Sequence, residues 1–87
     1  MANDEQKLRI KRMLVDQLHM RIEPEAIGDA APLFGDDGLG LDSVDAIEVV
    51  AGIEQEFDYA FASEDEAKEV LLNVNTLAAF LGQQGKL

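Results

Sequence analysis

One serine stands out by its setting. Ser43 follows the stretch Gly38-Leu39-Gly40-Leu41-Asp42 and opens the apolar–acidic run Val44-Asp45-Ala46-Ile47-Glu48. A serine hydroxyl so placed can attack as a nucleophile, cap a helix or accept a covalent group. Attack needs a base, and His19, the only histidine, lies a long loop away, so a catalytic triad fits poorly. Capping is the plain use, since Asp-Ser before a helix is a common cap and either residue could serve. Attachment is the sharper one. A serine at a helix start is reachable by a modifying enzyme, the backbone N–H groups there favour a phosphodiester, and glycines keep the approach open.

Other chemistries find few residues. The chain has no cysteine, which removes disulfides, thiolate metal sites and cysteine nucleophiles together. A single histidine rules out a histidine metal cluster. Asp36, Asp37, Asp42 and Asp45 cluster in sequence, but not as a calcium loop, which needs glycine sixth and acids first and third. With Gly40 sixth, the first position is Gly35; with Gly38 sixth, it is Leu33. No dedicated metal site is expected.

Four helical segments must position the serine. The first runs from about Asp4 to Met20, with Leu8, Ile10, Leu14, Val15 and Leu18 at helical spacing and His19 and Arg21 near its end. A long connection, about Arg21 to Leu41, is broken by Pro24, Gly28, Pro32, Gly35, Gly38 and Gly40. A loop this long needs anchors. Ile22, Ile27, Leu33, Phe34 and Leu39 are the candidates, with a helical turn near Asp29–Leu33. The second helix spans about Ser43 to Phe57, with Ala46, Ile47, Val50, Ile53 and Phe57 as its apolar stripe. The third spans about Glu64 to Leu72 behind a Ser63/Glu66 capping box. The fourth spans about Thr76 to Leu81, capped by Asn75, closed at Gly82, and burying Leu77, Phe80 and Leu81. The expected fold is all-α: a small three/four-helix bundle with a long loop between helices one and two, forming a single domain over residues 1–87.

Charge narrows the partners. The net charge is −11, and residues 36–69 hold twelve acidic side chains against one basic residue, Lys68. Phosphate backbones would repel this surface, so no nucleic acid is expected, whereas basic protein partners would be steered to it. No apolar stretch approaches a membrane span, and the polar, acidic N-terminus lacks a signal core, so the expected location is the cytoplasm. No long apolar surface seam stands out, which makes a monomer the default.

Leu39-Gly40-Leu41-Asp42-Ser43-Val44 resembles the L-G-x-D-S-L hallmark of the acyl carrier protein family, in which D-S-L opens the second helix. The likeness continues through Glu48-Val49-Val50, through Ile53-Glu54-Gln55-Glu56-Phe57-Asp58, and into the acidic third helix and Asn75-Thr76-Leu77. It covers nearly the whole chain. Two departures concern the pathway more than the fold: Val44 stands where the family has leucine, and Gly35-Asp36-Asp37-Gly38 lengthens the loop.

The resemblance implies a carrier, not an enzyme. A phosphopantetheinyl transferase would attach 4′-phosphopantetheine from coenzyme A to Ser43, and the arm would hold acyl groups as thioesters. Asp42, Asp45, Glu48 and Glu54, with small apolar contacts from Val44 and Ala51, would recognise partner enzymes. Those partners would be acyl-transfer, ketosynthase and related enzymes with basic docking patches, serving fatty acid, specialised lipid or polyketide-type synthesis. Ile47, Val50, Ile53, Phe57, Leu72 and Leu77 read as core, part of which would open to sheathe an acyl chain. Two rivals are an unmodified acidic adaptor or inhibitor docking through helix two, and a peptidyl or aminoacyl carrier. The adaptor does not explain a serine behind a glycine loop, and peptidyl carriers often have a less acidic second helix.

Overall fold

The computed structural model describes residues 3–34 and 38–87. Within them lie α1 (Asp4–Leu18), a 3-10 turn (Pro24–Ala26), α2 (Ser43–Phe57), α3 (Glu64–Val70) and α4 (Val74–Gln83). The architecture is the all-α bundle with a long α1–α2 connection that the sequence implies. Gly35, Asp36 and Asp37, which lengthen the loop, lie outside the described residues.

Local chemistry sets the helix ends. Asn3 and Gln6 close a reciprocal capping box, Gln6 N–H to Asn3 Oδ1 at 2.8 Å and Asn3 N–H to Gln6 Oε1 at 3.1 Å. The first helix stops at Leu18, short of Met20, because His19 turns left-handed (φ 52°) as its C-cap. The last helix starts two residues earlier than expected and extends through Gly82. Its cap is Asn73, not Asn75, and Asn73 Oδ1 accepts the Thr76 N–H at 2.8 Å. Before α3, Ser63 Oγ accepts the Glu66 N–H at 3.1 Å, but the box does not close reciprocally. The Glu66 carboxylate turns instead to Tyr59 Oη at 2.8 Å and Ala62 N–H at 3.2 Å. Beside it Phe61 and Phe80 stack at 5.8 Å between ring centroids, and Tyr59 meets both edge-to-face at 5.2 Å.

The core gathers Ile10, Met13 and Leu14 of α1, Val49, Ile53 and Phe57 of α2, Val70 and Leu71 around the end of α3, and Val74, Leu77, Ala78 and Leu81 of α4. α1 and α2 meet at Gly52, where an added Cβ would lie 2.7 Å from Met13 Sδ and 3.1 Å from Gln17 Cγ. A side chain there would have to displace the Met13 and Gln17 side chains packed over it.

The long loop is pinned at several points. Ile27 and Leu33 are buried, Phe34 and Leu39 half-buried, but Ile22, an expected anchor, is 41% exposed. Among the described residues of the loop, the helical turn falls at Pro24–Ala26 rather than near Asp29–Leu33, because proline pre-sets the first turn. Asp29 serves instead as a strut. Its carboxylate takes Lys11 Nζ at 2.6 Å and Lys7 Nζ at 3.3 Å from α1, and its carbonyl accepts the Asn75 N–H at 3.0 Å. The Lys11 hydrogen bond leads in holding its carboxyl below the ordinary 3.8, opposed by partial desolvation and aided by Lys7. A depressed pKa contributes stability that is complete above the unfolded value and lost as pH falls through the folded one. Acid titration of the wild type will therefore show stability lost below pH 3.8 that Asp29→Asn lacks, measured as urea midpoints across pH 2–6.

Candidate functional site

The Asp42 side chain decides what Ser43 is free to do. Asp42 is extended (φ −118°, ψ −172°), and its Oδ1 accepts the N–H groups of Val44 at 3.0 Å and Asp45 at 3.1 Å. Asp45 Oδ2 returns the bond to the Asp42 N–H at 3.0 Å. The capping box is thus complete without Ser43, which stands at the first position inside the helix. Its side chain is exposed, and its hydroxyl makes no hydrogen bond among the described residues. The loop that delivers it folds tightly on itself: Leu39 N–H bonds Pro32 C=O at 3.1 Å, and Leu41 N–H bonds Leu33 C=O at 3.3 Å. Gly38 is needed there because a Cβ would overlap the Pro32 carbonyl, and Gly40 takes φ +72°.

Ser43 lies on the rim of a mainly apolar cleft of about 850 Å³. One wall is α2, through Ser43, Ala46, Ile47 and Val50, a run at i, i+3, i+4 and i+7. The facing wall comes from α3 and its end, through Glu64, Ala67, Lys68, Leu71 and Leu72. Pro32, Phe34 and Leu41 of the loop and Asn73 complete it.

The structure separates two sets that the sequence merges. Ile53, Phe57 and Leu77 are core, at 0 to 3% exposure. Ile47 and Leu72, expected there too, are 69% and 55% exposed and line the cleft, as does half-buried Val50. Val49, absent from the expected stripe, is fully buried in their place. The α2 stripe is two adjacent stripes, and only the one on Val49, Gly52, Ile53 and Phe57 faces the bundle interior.

Of the expected recognition residues, Val44 is 67% exposed and Ala51 half-buried. Glu48 and Glu54 are exposed, and Glu48 accepts a long bond from Gln17 Nε2 at 3.4 Å. The Asp42 and Asp45 carboxylates are engaged in the cap. Sequence reasoning passed over Pro32, Phe34, Leu41, Ala67 and Lys68 as cleft residues. Helical spacing from Ser43 could have marked the α2 wall; the loop and α3 wall needed tertiary contacts.

These features fit a phosphodiester-linked arm on their own terms. The hydroxyl is accessible and uncommitted, it stands at the positive end of a 15-residue helix, and an apolar trough begins beside it. No helix among the described residues is long and apolar enough to cross a membrane.

Comparison with known proteins agrees. Residues 9–81 match the family described as the phosphopantetheine attachment site. The chain is 36% identical over 78 residues to the acyl carrier proteins of Rhodopseudomonas palustris (strain TIE-1), Nitrobacter winogradskyi and Bradyrhizobium sp. (strain ORS 278). Each match covers 90% of this chain and 91% of the relative. The match over residues 9–81 and the 36% identity over 90% of the chain place it in the acyl carrier protein family, whose cofactor is covalent 4′-phosphopantetheine.

Proposed function

We propose that Ser43 is the attachment point of the phosphopantetheine arm, and that the chain carries acyl groups between enzymes of fatty acid, specialised lipid or polyketide-type synthesis, catalysing no step itself. The observation that carries this reading is the division of labour at the α2 start: Asp42 caps the helix, leaving the Ser43 hydroxyl exposed. In attachment, the Ser43 O–H bond breaks and Oγ bonds to the pantetheine-bearing phosphorus of coenzyme A. The pyrophosphate P–O bond breaks, adenosine 3′,5′-bisphosphate leaves, and a base on the transferase takes the proton. The arm supplies the thiol that this cysteine-free chain lacks for thioester chemistry.

The chain's own residues do the rest. Ala46, Ile47, Val50 and Leu72 offer an apolar bed to the arm or a short acyl chain. Glu48 and Glu54, with the exposed edge of the Asp42–Asp45 cap, steer basic patches of the transferase and of acyl-transfer and ketosynthase partners. Val44 and Ala51 supply the apolar contacts between them. Single exposed ion pairs are weak, which suits a shuttle that must let go. The working state is a cytoplasmic monomer.

Apo protein incubated with coenzyme A and a broad-specificity phosphopantetheinyl transferase should gain the mass of one arm. No addition to folded protein would favour the acidic adaptor instead. Glu48→Lys should slow that modification roughly tenfold at low salt, with the difference shrinking as salt screens the encounter. Equal rates at low salt would remove Glu48 from the docking surface.

A further inference from the structure

The cleft carries one positive charge. Lys68 is the only basic residue between positions 36 and 69, and it lines the α3 wall. It enters no ion pair among the described residues, whereas Lys7, Arg9, Lys11 and Lys86 all do. The α3 dipole favours a cation in the last turn, but that does not require it on the cleft side.

Its place along the cleft is readable from the backbone. Leu33 N–H bonds Leu72 C=O at 3.0 Å, and Leu41 N–H bonds Leu33 C=O at 3.3 Å, so the end of α3 lies beside the segment entering α2. Glu64 therefore marks the remote end of the α3 wall, and Lys68 stands one helical turn nearer to the residues that follow the helix, Leu71 and Leu72. A lysine stem can lie along Ala67 and Leu71 while its ammonium reaches over the cleft. The other charges on the cleft are the carboxylates of Asp42, held in the cap, and Glu64, one turn away on the same helix.

We infer that Lys68 is the anion-binding residue of this cleft: its Nζ donates to an anionic oxygen brought in on the group tethered at Ser43. That oxygen comes either from the phosphodiester beside the serine or from a carboxylate ending a short acyl cargo. The inference rests on the attachment at Ser43 proposed above. A cleft lined only by apolar groups would favour hydrocarbon ends; a cation on its wall extends the cargo class to acyl groups bearing a carboxylate.

The test follows the Lys68 side chain by NMR in lysine-labelled protein, its signal assigned by loss in Lys68→Gln. Four forms are compared at neutral pH: apo, arm alone, arm with pentanoyl, and arm with glutaryl, each confirmed by mass. Lys7 and Lys11, tied to Asp29 on α1, serve as internal references. A shift of the Lys68 side-chain signal on arm attachment, unchanged by cargo, identifies the phosphodiester. A shift with glutaryl alone identifies the cargo carboxylate. No change in any modified form, with the arm confirmed on Ser43, overturns the inference and leaves the attachment reading standing. A response common to pentanoyl and glutaryl but absent with the arm alone reports displacement by hydrocarbon and also overturns it. Folded protein that accepts no arm overturns both.

Discussion

Ser43→Ala will gain no mass on incubation with coenzyme A and a phosphopantetheinyl transferase, while the wild type is modified fully. The loss is all or none because the oxygen that bonds phosphorus is removed. The same substitution should leave stability within about 0.5 kcal/mol, since the side chain is exposed, makes no hydrogen bond among the described residues and does not cap the helix. Asp42→Ala is the converse. It removes the acceptor of the Val44 and Asp45 N–H groups and should cost about 1 kcal/mol, lowering the melting temperature by roughly 4–8 °C. The Ser43 hydroxyl remains in that variant, so it should still accept the arm, more slowly as the helix start frays. Intact-mass spectra and thermal melts on the two variants together separate a chemical role from a structural one. An arm on Ser43→Ala would place the attachment elsewhere and sink the proposal.

The second large effect divides the apolar residues around the cleft. Leu77→Ala and Ile53→Ala should each cost about 3 kcal/mol, because both side chains are fully buried and truncation leaves a cavity. That is a large share of the roughly 5–15 kcal/mol a small domain has. Ile47→Ala and Leu72→Ala should cost under about 0.5 kcal/mol, because most of each side chain already meets water. Their effect should appear after loading, as faster thioester hydrolysis in the modified, acylated protein. Urea unfolding of the four apo variants checks the first half, and hydrolysis rates of the loaded forms check the second. Equal destabilisation across the four would mean that Ile47 and Leu72 pack in solution as core, and the cleft would close.

The helices with strong local signals were legible in the sequence. α2 spans Ser43–Phe57 as expected, and of the two caps the sequence left open, Asp42 and Ser43, it is Asp42 that serves. α4 was misplaced by two residues because Asn73 and Asn75 are both good caps, and Val74 tips the choice by being fully buried. Cap chemistry cannot rank two asparagines; packing can. The Glu66 side chain, expected to complete a capping box, is drawn away by a tyrosine seven residues earlier in the chain.

The amino-acid order alone determined that this is an acidic helical chain with Ser43 delivered behind a glycine-rich loop to a helix start and with no thiol of its own. Those are properties of residue type and near neighbours, and they act over a turn or two. Only the tertiary structure decided that Ile47 and Leu72 face a cleft while Val49 faces the core, and that Lys68 shares that cleft with Ser43. Helical periodicity marks which side of a helix is apolar, but two adjacent apolar stripes look alike until another element covers one and leaves the other open.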